Sequence, residues 1–204
     1  MSSKTFEEQT SEQYAALGRF VVAFERTVDA VRSAAMQRLV AGNSVLHQRL
    51  VNTVLHHSAF TAGPLLDVLR GLCAEILKEP AYKWSDADAT VLRAVLDQVA
   101  VDYGDLLKQR NIIVHGTWYV GYGPQGATEF PDMGLSKWKI TKDGFASAGG
   151  PRTAADLLDL CRRCDEVTKL VRTLNSMMIF RGNVQKNLVK QGGRWVAPGA
   201  ADPS

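Results

Sequence analysis

The chain has 204 residues, of which 46% are hydrophobic and 22% charged, and its formal net charge is +3. This length suits one domain with a real core, and so small a charge does not by itself indicate a nucleic-acid-binding protein. The first residues lack a signal peptide, no segment approaches the roughly 20 apolar residues of a membrane span, and three cysteines are typical of reduced thiols. We therefore expect one soluble cytoplasmic domain over residues 1–204, with no membrane contact.

The first part of the chain has the spacing of helices. Apolar residues at steps of three and four predict a long amphipathic helix over residues 11–40. The positions expected on its buried face are Tyr14, Leu17, Val21, Phe24, Val28, Val31 and Ala35. A second helix is predicted over residues 45–57, and a third from the N-cap residue Thr61 to Lys78.

The fourth helix carries a charge on an otherwise apolar stripe. Ser85 and Asp88 have the spacing of a capping box and are predicted to begin this helix. Its stripe consists of Leu92, Leu96, Val99, Tyr103, Leu106, Arg110 and Ile113. A guanidinium on a core-facing or interface-facing stripe is costly unless an anion meets it, so Arg110 is predicted to bind an anion. His115 follows near the helix end, where Gly116 predicts a left-handed C-cap.

After residue 116 the pattern changes from helix to strand. Aromatic and β-branched residues at 117–122 and alternation at 137–141 predict strands, and Lys142-Asp143-Gly144 predicts a hairpin turn. We expect a small β-hairpin or meander over residues 117–150, inserted between helices rather than forming a separate domain.

Thr153 is predicted to begin the last long helix. Its stripe again steps by three and four through Leu157, Leu160, Cys164, Val167, Val171, Leu174 and Met178. The basic and then Gly-, Ala- and Pro-rich region at 181–204 is expected to fray. The predicted fold class is therefore mainly α: an antiparallel helical bundle with a small β-hairpin insert.

Three motifs that could indicate cofactor or metal chemistry have simpler explanations. The segment 121–126 spells G-x-G-x-x-G, but a proline lies inside it and no helix start follows, so we interpret it as a loop. Cys161 and Cys164 form C-x-x-C without a second ligand pair, which favours core packing. His56 and His57 point about 100° apart on a helix and cannot easily share one ion. We predict no metal and no cofactor.

Arg110 and His115 fit the pattern R-x(4–6)-H. Asn111 lies four residues before His115 on the same helix face, so its amide can orient the imidazole. Glu25 borders the buried stripe of the first helix and either holds Arg110 or is an ordinary rim charge. The structural alternative for the whole motif is a helix-end histidine beside an arginine in an ion pair.

An Arg followed by Asn, with His five positions after the Arg near the end of a helix, resembles the HEPN superfamily. The resemblance covers the predicted helical frame of residues 11–116 and the helix after Thr153. It implies a HEPN-like bundle in which Arg110, Asn111 and His115 are the catalytic residues. It also implies a metal-independent endoribonuclease of a toxin–antitoxin or phage-defence system, which dimerises so that two motifs face each other. Other members of the family are inactive binding or assembly modules.

The chemistry of RNA cleavage suits these residues. When the 2′-hydroxyl of RNA attacks the adjacent phosphate, an enzyme must move protons and stabilise developing negative charge. His115 can exchange protons near neutral pH, and Arg110 can hold the phosphate bidentately. The motif has one histidine in each chain, which is too few for both proton transfers, and a symmetric homodimer would supply the second.

The aromatic residues Trp118, Tyr119 and Tyr122 leave the helix just after His115. They either stack on unpaired RNA bases or cap the hydrophobic core. Our leading hypothesis is a dimeric endoribonuclease whose partners are RNA and, in a toxin or defence system, an antitoxin or other partner protein. The alternative is a non-catalytic HEPN-like dimerisation or partner-binding protein. A third hypothesis is a nucleotide-binding partner of a nucleotidyltransferase.

Overall fold

The computed structural model describes residues 4–40, 61–121, 129–142, 144–180 and 182–198. The long helices are α1 Phe6–Val40, α2 Ala62–Lys78, α3 Asp86–His115 and α4 Ala154–Phe180, with a 3₁₀ turn at Pro80–Tyr82 and a one-turn helix α5 at Val184–Asn187. The strands are β1 Thr117–Tyr119, β2 Asp132–Thr141, β3 Gly144–Thr153, β4 Val189–Gln191 and β5 Arg194–Val196. The predicted mainly α class with a small β insert is confirmed. The predicted helix at 45–57, its histidines and Tyr122 lie outside the described residues.

The contacts divide the chain into two compact units. One comprises Met1–Glu25 with Asp105–Cys164, and the other comprises Arg26–Gly104 with Asp165–Ser204. Helices α1, α3 and α4 each contribute residues to both units. The assignment of residues 1–204 to a single domain stays a prediction.

The first unit contains an antiparallel sheet in the order β1-β2-β3. Thr117 lies opposite Ser136, and Thr141 lies opposite Gly144 across the predicted hairpin turn. Alternation along β2 buries Met133 and Leu135 on one face. The buried residues of this unit also include Ala16, Phe20, Phe24, Leu106, Ile113, Leu157, Leu160 and Cys164. The insert predicted at 117–150 is thus a three-stranded sheet.

The start of α1 differs from the prediction. Thr5 and Glu8 form a capping box, in which the Thr5 N–H donates to Glu8 Oε2 (2.7 Å) and the Glu8 N–H donates to Thr5 Oγ1 (3.2 Å), so α1 begins at Phe6 rather than near residue 11. Tyr14, predicted to be buried, is exposed. Gln13 is buried in its place because its amide donates to the backbone carbonyl of Phe130.

The second unit has a helical core. Its buried residues include Val28, Val31, Ala35, Leu65, Leu69, Cys73, Leu92, Val99, Tyr103, Val167, Val171, Leu174 and Met178. The predicted stripes of α3 and α4 and the second half of the α1 stripe are therefore confirmed, apart from the charged Arg110. Thr27 and Thr168 bring two hydroxyl groups into this core, where they hydrogen bond at 3.0 Å.

The prediction that residues 181–204 fray is wrong for residues 182–198. Val184 and Leu188 of this segment are buried. The Gln98 side chain accepts from the Trp195 N–H (2.8 Å) and donates to the Trp195 carbonyl (3.0 Å), and Arg194 pairs with Asp102. These contacts join residues far apart in the sequence, which local composition does not reveal. Among the described helices, none combines the length and apolar character needed to cross a membrane.

The cap of α4 gives a direct test of local stability. The Asp156 N–H donates to Thr153 Oγ1 (3.0 Å), and the Thr153 N–H donates to Asp156 Oδ2 (2.8 Å) and lowers the pKa of that carboxyl. Thr153→Ala should lower the free energy of unfolding by about 0.5–2 kcal/mol in urea titrations, because an N-terminal backbone donor of α4 loses its acceptor. Thr61→Ala is the matched control, since Thr61 is the N-cap of α2 but makes no side-chain cap hydrogen bond. Equal losses in the two variants would contradict this account.

Candidate functional site

The last two turns of α3 carry the residues that the sequence singled out. Leu106 and Ile113 are fully buried on the same stripe, whereas the side chain of Arg110 between them is 28% exposed. His115 is the final residue of the helix. The structure therefore places a guanidinium at the margin of a buried apolar stripe, one and a half turns before a helix-end imidazole.

The Arg110 guanidinium is only weakly held by the rest of the protein. Its Nη2 lies 3.5 Å from Glu25 Oε1, and its Nη1 lies 3.4 Å from Asn111 Oδ1. Charge-assisted hydrogen bonds are normally about 2.7–2.9 Å long. In the same unit, Arg163 Nη2 lies 2.5 Å from Asp105 Oδ2. The contacts of Arg110 are thus longer than typical charge-assisted hydrogen bonds, and longer than the contact between Arg163 and Asp105.

The Nε atom of Arg110 is buried and has no hydrogen-bond partner among the described residues. A buried donor without an acceptor costs about 1–3 kcal/mol, so such groups are rare in folded proteins. A ligand that brings an oxygen atom to this nitrogen would recover that cost. Arg32 Nε and Arg38 Nε are also buried without a partner among the described residues, so this feature alone does not identify an anion site.

Glu25 approaches Arg110, but its carboxylate does not neutralise the guanidinium strongly. Its side chain is 54% exposed, and the distance to Arg110 is long. Exposed ion pairs of this kind contribute about 0–1 kcal/mol. An incoming phosphate can therefore compete with Glu25 for the guanidinium.

His115 is exposed and makes no hydrogen bond within the described ranges. The side-chain oxygen of Asn111 faces Arg110 rather than His115, so the predicted orientation of the imidazole by Asn111 is not formed here. What the structure brings together is Arg110, Asn111 and Glu25. The His115 imidazole is left accessible to a ligand.

Side chains from the sheet terminate α3. Lys137 Nζ donates to the carbonyl of Asn111 (2.8 Å), and the indole N–H of Trp118 donates to the carbonyl of Ile113 (2.7 Å). The Ile113 carbonyl is one of the last four of α3, which the helix leaves without an intrahelical partner, and the Asn111 carbonyl gains a further donor from the sheet. Because Trp118 serves the helix end and is half-buried, its placement favours the structural alternative over base stacking.

Gly116 is required for a different reason from the predicted one. Its φ is not in the left-handed region, so the expected left-handed C-cap is wrong. A Cβ at this position would lie 2.4 Å from Leu135 Cδ1 and 2.7 Å from the carbonyl oxygen of Ile112. The glycine therefore allows the sheet to approach the end of α3 closely.

Two cations at this helix end are not predicted by the sequence pattern. Lys137 contacts the Asn111 carbonyl, and Arg152 Nη2 donates to the Gln109 side-chain oxygen (2.7 Å). Both partners are neutral, and neither cation forms an ion pair within the described ranges. Lys137 lies two residues after the buried Leu135 on β2, so the two side chains share a face. Arg152 on β3 pairs with the buried Met133 on β2, so it lies on the same face. The strand register places both cations on this face, but the register follows from the pairing of the strands and cannot be derived from the sequence pattern.

The remaining candidates are placed as follows. Tyr119 is half-exposed on the opposite face of the sheet from Trp118. Gly121 is the only part of the glycine-rich segment described; its φ is +66°, and a Cβ at this position would lie 2.7 Å from the Phe6 ring and 2.8 Å from Thr10 Cγ2. Cys164 is buried, Cys161 is partly buried and neither forms a disulfide, in agreement with core packing. Within the described ranges no group of His, Cys, Asp and Glu side chains is arranged to hold a metal ion.

Comparisons of the chain with protein-family models, with curated proteins and with solved structures find no match. The HEPN resemblance therefore rests on the motif of Arg110, Asn111 and His115. Its consequences for function remain predictions.

The weak attachment of Arg110 has a measurable consequence for stability. Arg110→Met keeps most of the apolar stem and removes the orphaned donor. The free energy of unfolding should stay unchanged or rise by up to about 1 kcal/mol, because an exposed ion pair contributes little and a buried unsatisfied group is lost. Urea titration measures the change, and Arg163→Met is the control, in which a short ion pair is broken and stability should fall. A loss of about 3 kcal/mol or more in Arg110→Met would instead show a structural buried ion pair.

Proposed function

We propose that the protein is a HEPN-like, metal-independent endoribonuclease of toxin or phage-defence type that acts as a homodimer. The observation that carries the proposal is the Arg110 guanidinium, whose buried Nε has no partner and whose two other contacts are long. An exposed histidine follows five residues later at the helix end. Together they supply a phosphate-binding group and a proton-transfer group.

The phosphate would bind to Arg110. Nε and one terminal nitrogen of a guanidinium form a fork that matches two non-bridging phosphate oxygens. As the 2′-hydroxyl attacks the phosphorus atom, negative charge grows on those oxygens, and a fixed cation stabilises it. Lys137 and Arg152 add positive potential at the same helix end, because each has a neutral partner rather than a carboxylate.

His115 would transfer protons. An imidazole side chain is the protein group best suited to both accepting and donating a proton near neutral pH. Cleavage needs one group to take the proton of the 2′-hydroxyl and another to protonate the leaving 5′-oxygen. Within the described ranges one histidine lies at this site, and a two-fold symmetric copy would offer the second.

The proposal also names partners and location. RNA is the substrate, the reaction uses no metal or cofactor because the 2′-hydroxyl is an internal nucleophile, and the protein acts in the cytoplasm. In a toxin–antitoxin or defence system, a second protein would restrain or recruit it. Trp118, Tyr119 and Tyr122 are the residues proposed from sequence to contact the RNA, and of these Tyr119 is the one placed with an exposed ring.

The second candidate is a non-catalytic HEPN-like dimerisation or partner-binding protein. The observation that favours it is the proximity of Glu25 to Arg110, since a carboxylate within 3.5 Å already partly occupies the anion site. In that case, Arg110 and His115 would only contribute contacts to the interface with a second copy or a partner protein.

Incubation with total RNA in EDTA tests the proposal. The wild-type protein should cut RNA, and His115→Ala and Arg110→Ala should each reduce the rate by about 10²–10⁴-fold on a gel, the usual contribution of a general acid–base or charge-stabilising group. Arg93→Ala is the matched control, because Arg93 is an exposed arginine of the same helix without a contact to the site, and its activity should equal that of the wild type. If the wild-type protein cuts no RNA in EDTA and Arg110→Ala unfolds it, the non-catalytic candidate stands.

A further inference from the structure

The helix end that carries His115 passes directly into the sheet. Helix α3 ends at His115 and strand β1 begins at Thr117, so Gly116 is the single residue between them. Strand side chains alternate between the two faces of a sheet, and Trp118 pairs with the buried Leu135 of β2. We call the face that carries Leu135 the inner face. Trp118 therefore belongs to the inner face, which is the face that meets the end of α3.

The indole of Trp118 replaces a donor that the helix lacks. In a regular helix the carbonyl of residue 113 accepts a hydrogen bond from the N–H of residue 117, but Thr117 already belongs to β1. The indole N–H donates to the Ile113 carbonyl instead, at 2.7 Å. Ile113 is 1% exposed, so bulk water cannot take the place of the indole. Without Trp118, a buried acceptor at the helix end would be left unsatisfied.

The residue that follows His115 is fixed by the next strand. A Cβ at Gly116 would lie 2.4 Å from Leu135 Cδ1 and 2.7 Å from the carbonyl oxygen of Ile112, so β2 packs directly against the backbone here. The main chain is thus held two residues before His115, at Ile113, and one residue after it.

The imidazole of His115 is not held by its own contacts. It is exposed and makes no hydrogen bond within the described ranges. Its place relative to Arg110 therefore depends on the backbone of the last turn of α3. Arg110 lies five residues earlier, where the carbonyls still find N–H partners within the helix. Loss of the indole hydrogen bond should therefore displace His115 and leave Arg110 where it is.

We propose that Trp118 is a positioning residue, which holds the last turn of α3 through the Ile113 carbonyl and so fixes where His115 lies relative to Arg110. The inference rests on the proposed function, because this placement matters for cleavage only if Arg110 binds phosphate and His115 transfers protons. Trp118 acts through the backbone and touches no substrate. Such a role has a large effect on rate, since a misplacement of about 1 Å can cost about 10²-fold.

Cleavage kinetics with Trp118→Phe test the proposal, because this change keeps an aromatic ring and removes the N–H donor. The kcat for RNA in EDTA should fall about 10- to 10²-fold, since His115 is displaced. The KM should change less than about twofold, because the phosphate binds to Arg110 and that part of the helix is intact. A residue that only supported the fold would not separate kcat from KM in this way.

Two control variants accompany this measurement. Trp138→Phe is the same substitution on the opposite face of the sheet, where Trp138 is 66% exposed, and its kcat should equal that of the wild type. Thr153→Ala removes the cap of α4 and lowers stability in the same unit, without a hydrogen bond from Thr153 to α3 among the described residues. Its folded fraction should keep the wild-type kcat.

A second measurement on the full chain does not need cleavage. Amide hydrogen exchange, followed by NMR, should become about 2- to 13-fold faster at residues 114–116 in Trp118→Phe, which is the factor that corresponds to one net hydrogen bond. Exchange at residues 103–110 should stay at the wild-type rate. Trp138→Phe should leave both groups of amides unchanged.

The outcomes separate this proposal from the proposed function. An unchanged kcat in Trp118→Phe, or an equal fall of kcat in Thr153→Ala, would overturn the positioning role, and the ribonuclease would stand. A higher KM at unchanged kcat would also overturn it, since Trp118 would then serve binding. If the wild-type protein cuts no RNA in EDTA, the ribonuclease fails, and the exchange rates alone decide whether Trp118 holds the helix end. Unchanged exchange at residues 114–116 would show that it does not.

Discussion

The arrangement at the end of α3 depends on one charge that the fold does not fully neutralise. Arg110 occupies a position on a stripe whose other members are buried apolar or aromatic side chains. Among the described residues its one carboxylate partner, Glu25, is exposed and lies 3.5 Å away, and its Nε has no hydrogen-bond partner there. A fold built for stability alone would replace such a group with an apolar residue at little cost. The retained charge is the physical reason to look for an anion there.

The sheet is organised around the same helix end. Its inner face supplies Lys137 and Trp118, which satisfy carbonyls of the last turn of α3 without using a carboxylate. These two contacts therefore add no carboxylate to Glu25, which already lies 3.5 Å from Arg110. The opposite face of the sheet, in contrast, presents Tyr119 and Trp138 to solvent. One strand register therefore separates residues that complete the helix from residues that are exposed.

The sequence predicted the parts of the structure that depend on local spacing. Every member of the α4 stripe is buried as expected, from Leu157 to Met178, and α3 and α4 begin directly after Ser85 and Thr153 as predicted. The failures involve contacts between distant residues. Gln13 displaces Tyr14 from the buried face because it reaches the backbone of Phe130, and the tail at 182–198 is ordered because Gln98 pairs with Trp195. The motif of Arg110 and His115 is visible in the sequence. The positions of Lys137, Arg152 and Trp138 relative to it follow only from the pairing of the strands.

The most direct test of the central claim is the NMR signal of the Arg110 Nε–H group. In protein labelled with ¹⁵N-arginine, Arg110→Lys identifies this signal by its loss. Titration with a ten-residue RNA strand carrying 2′-O-methyl groups, which cannot be cut, should move it, because a phosphate oxygen becomes the acceptor that Nε lacks among the described residues. The Nε–H signal of Arg163 should stay in place. Glu25→Gln in the free protein should move the Arg110 signal little. An Arg110 signal that ignores the oligonucleotide but responds strongly to Glu25→Gln would show that the guanidinium serves the ion pair and not a ligand.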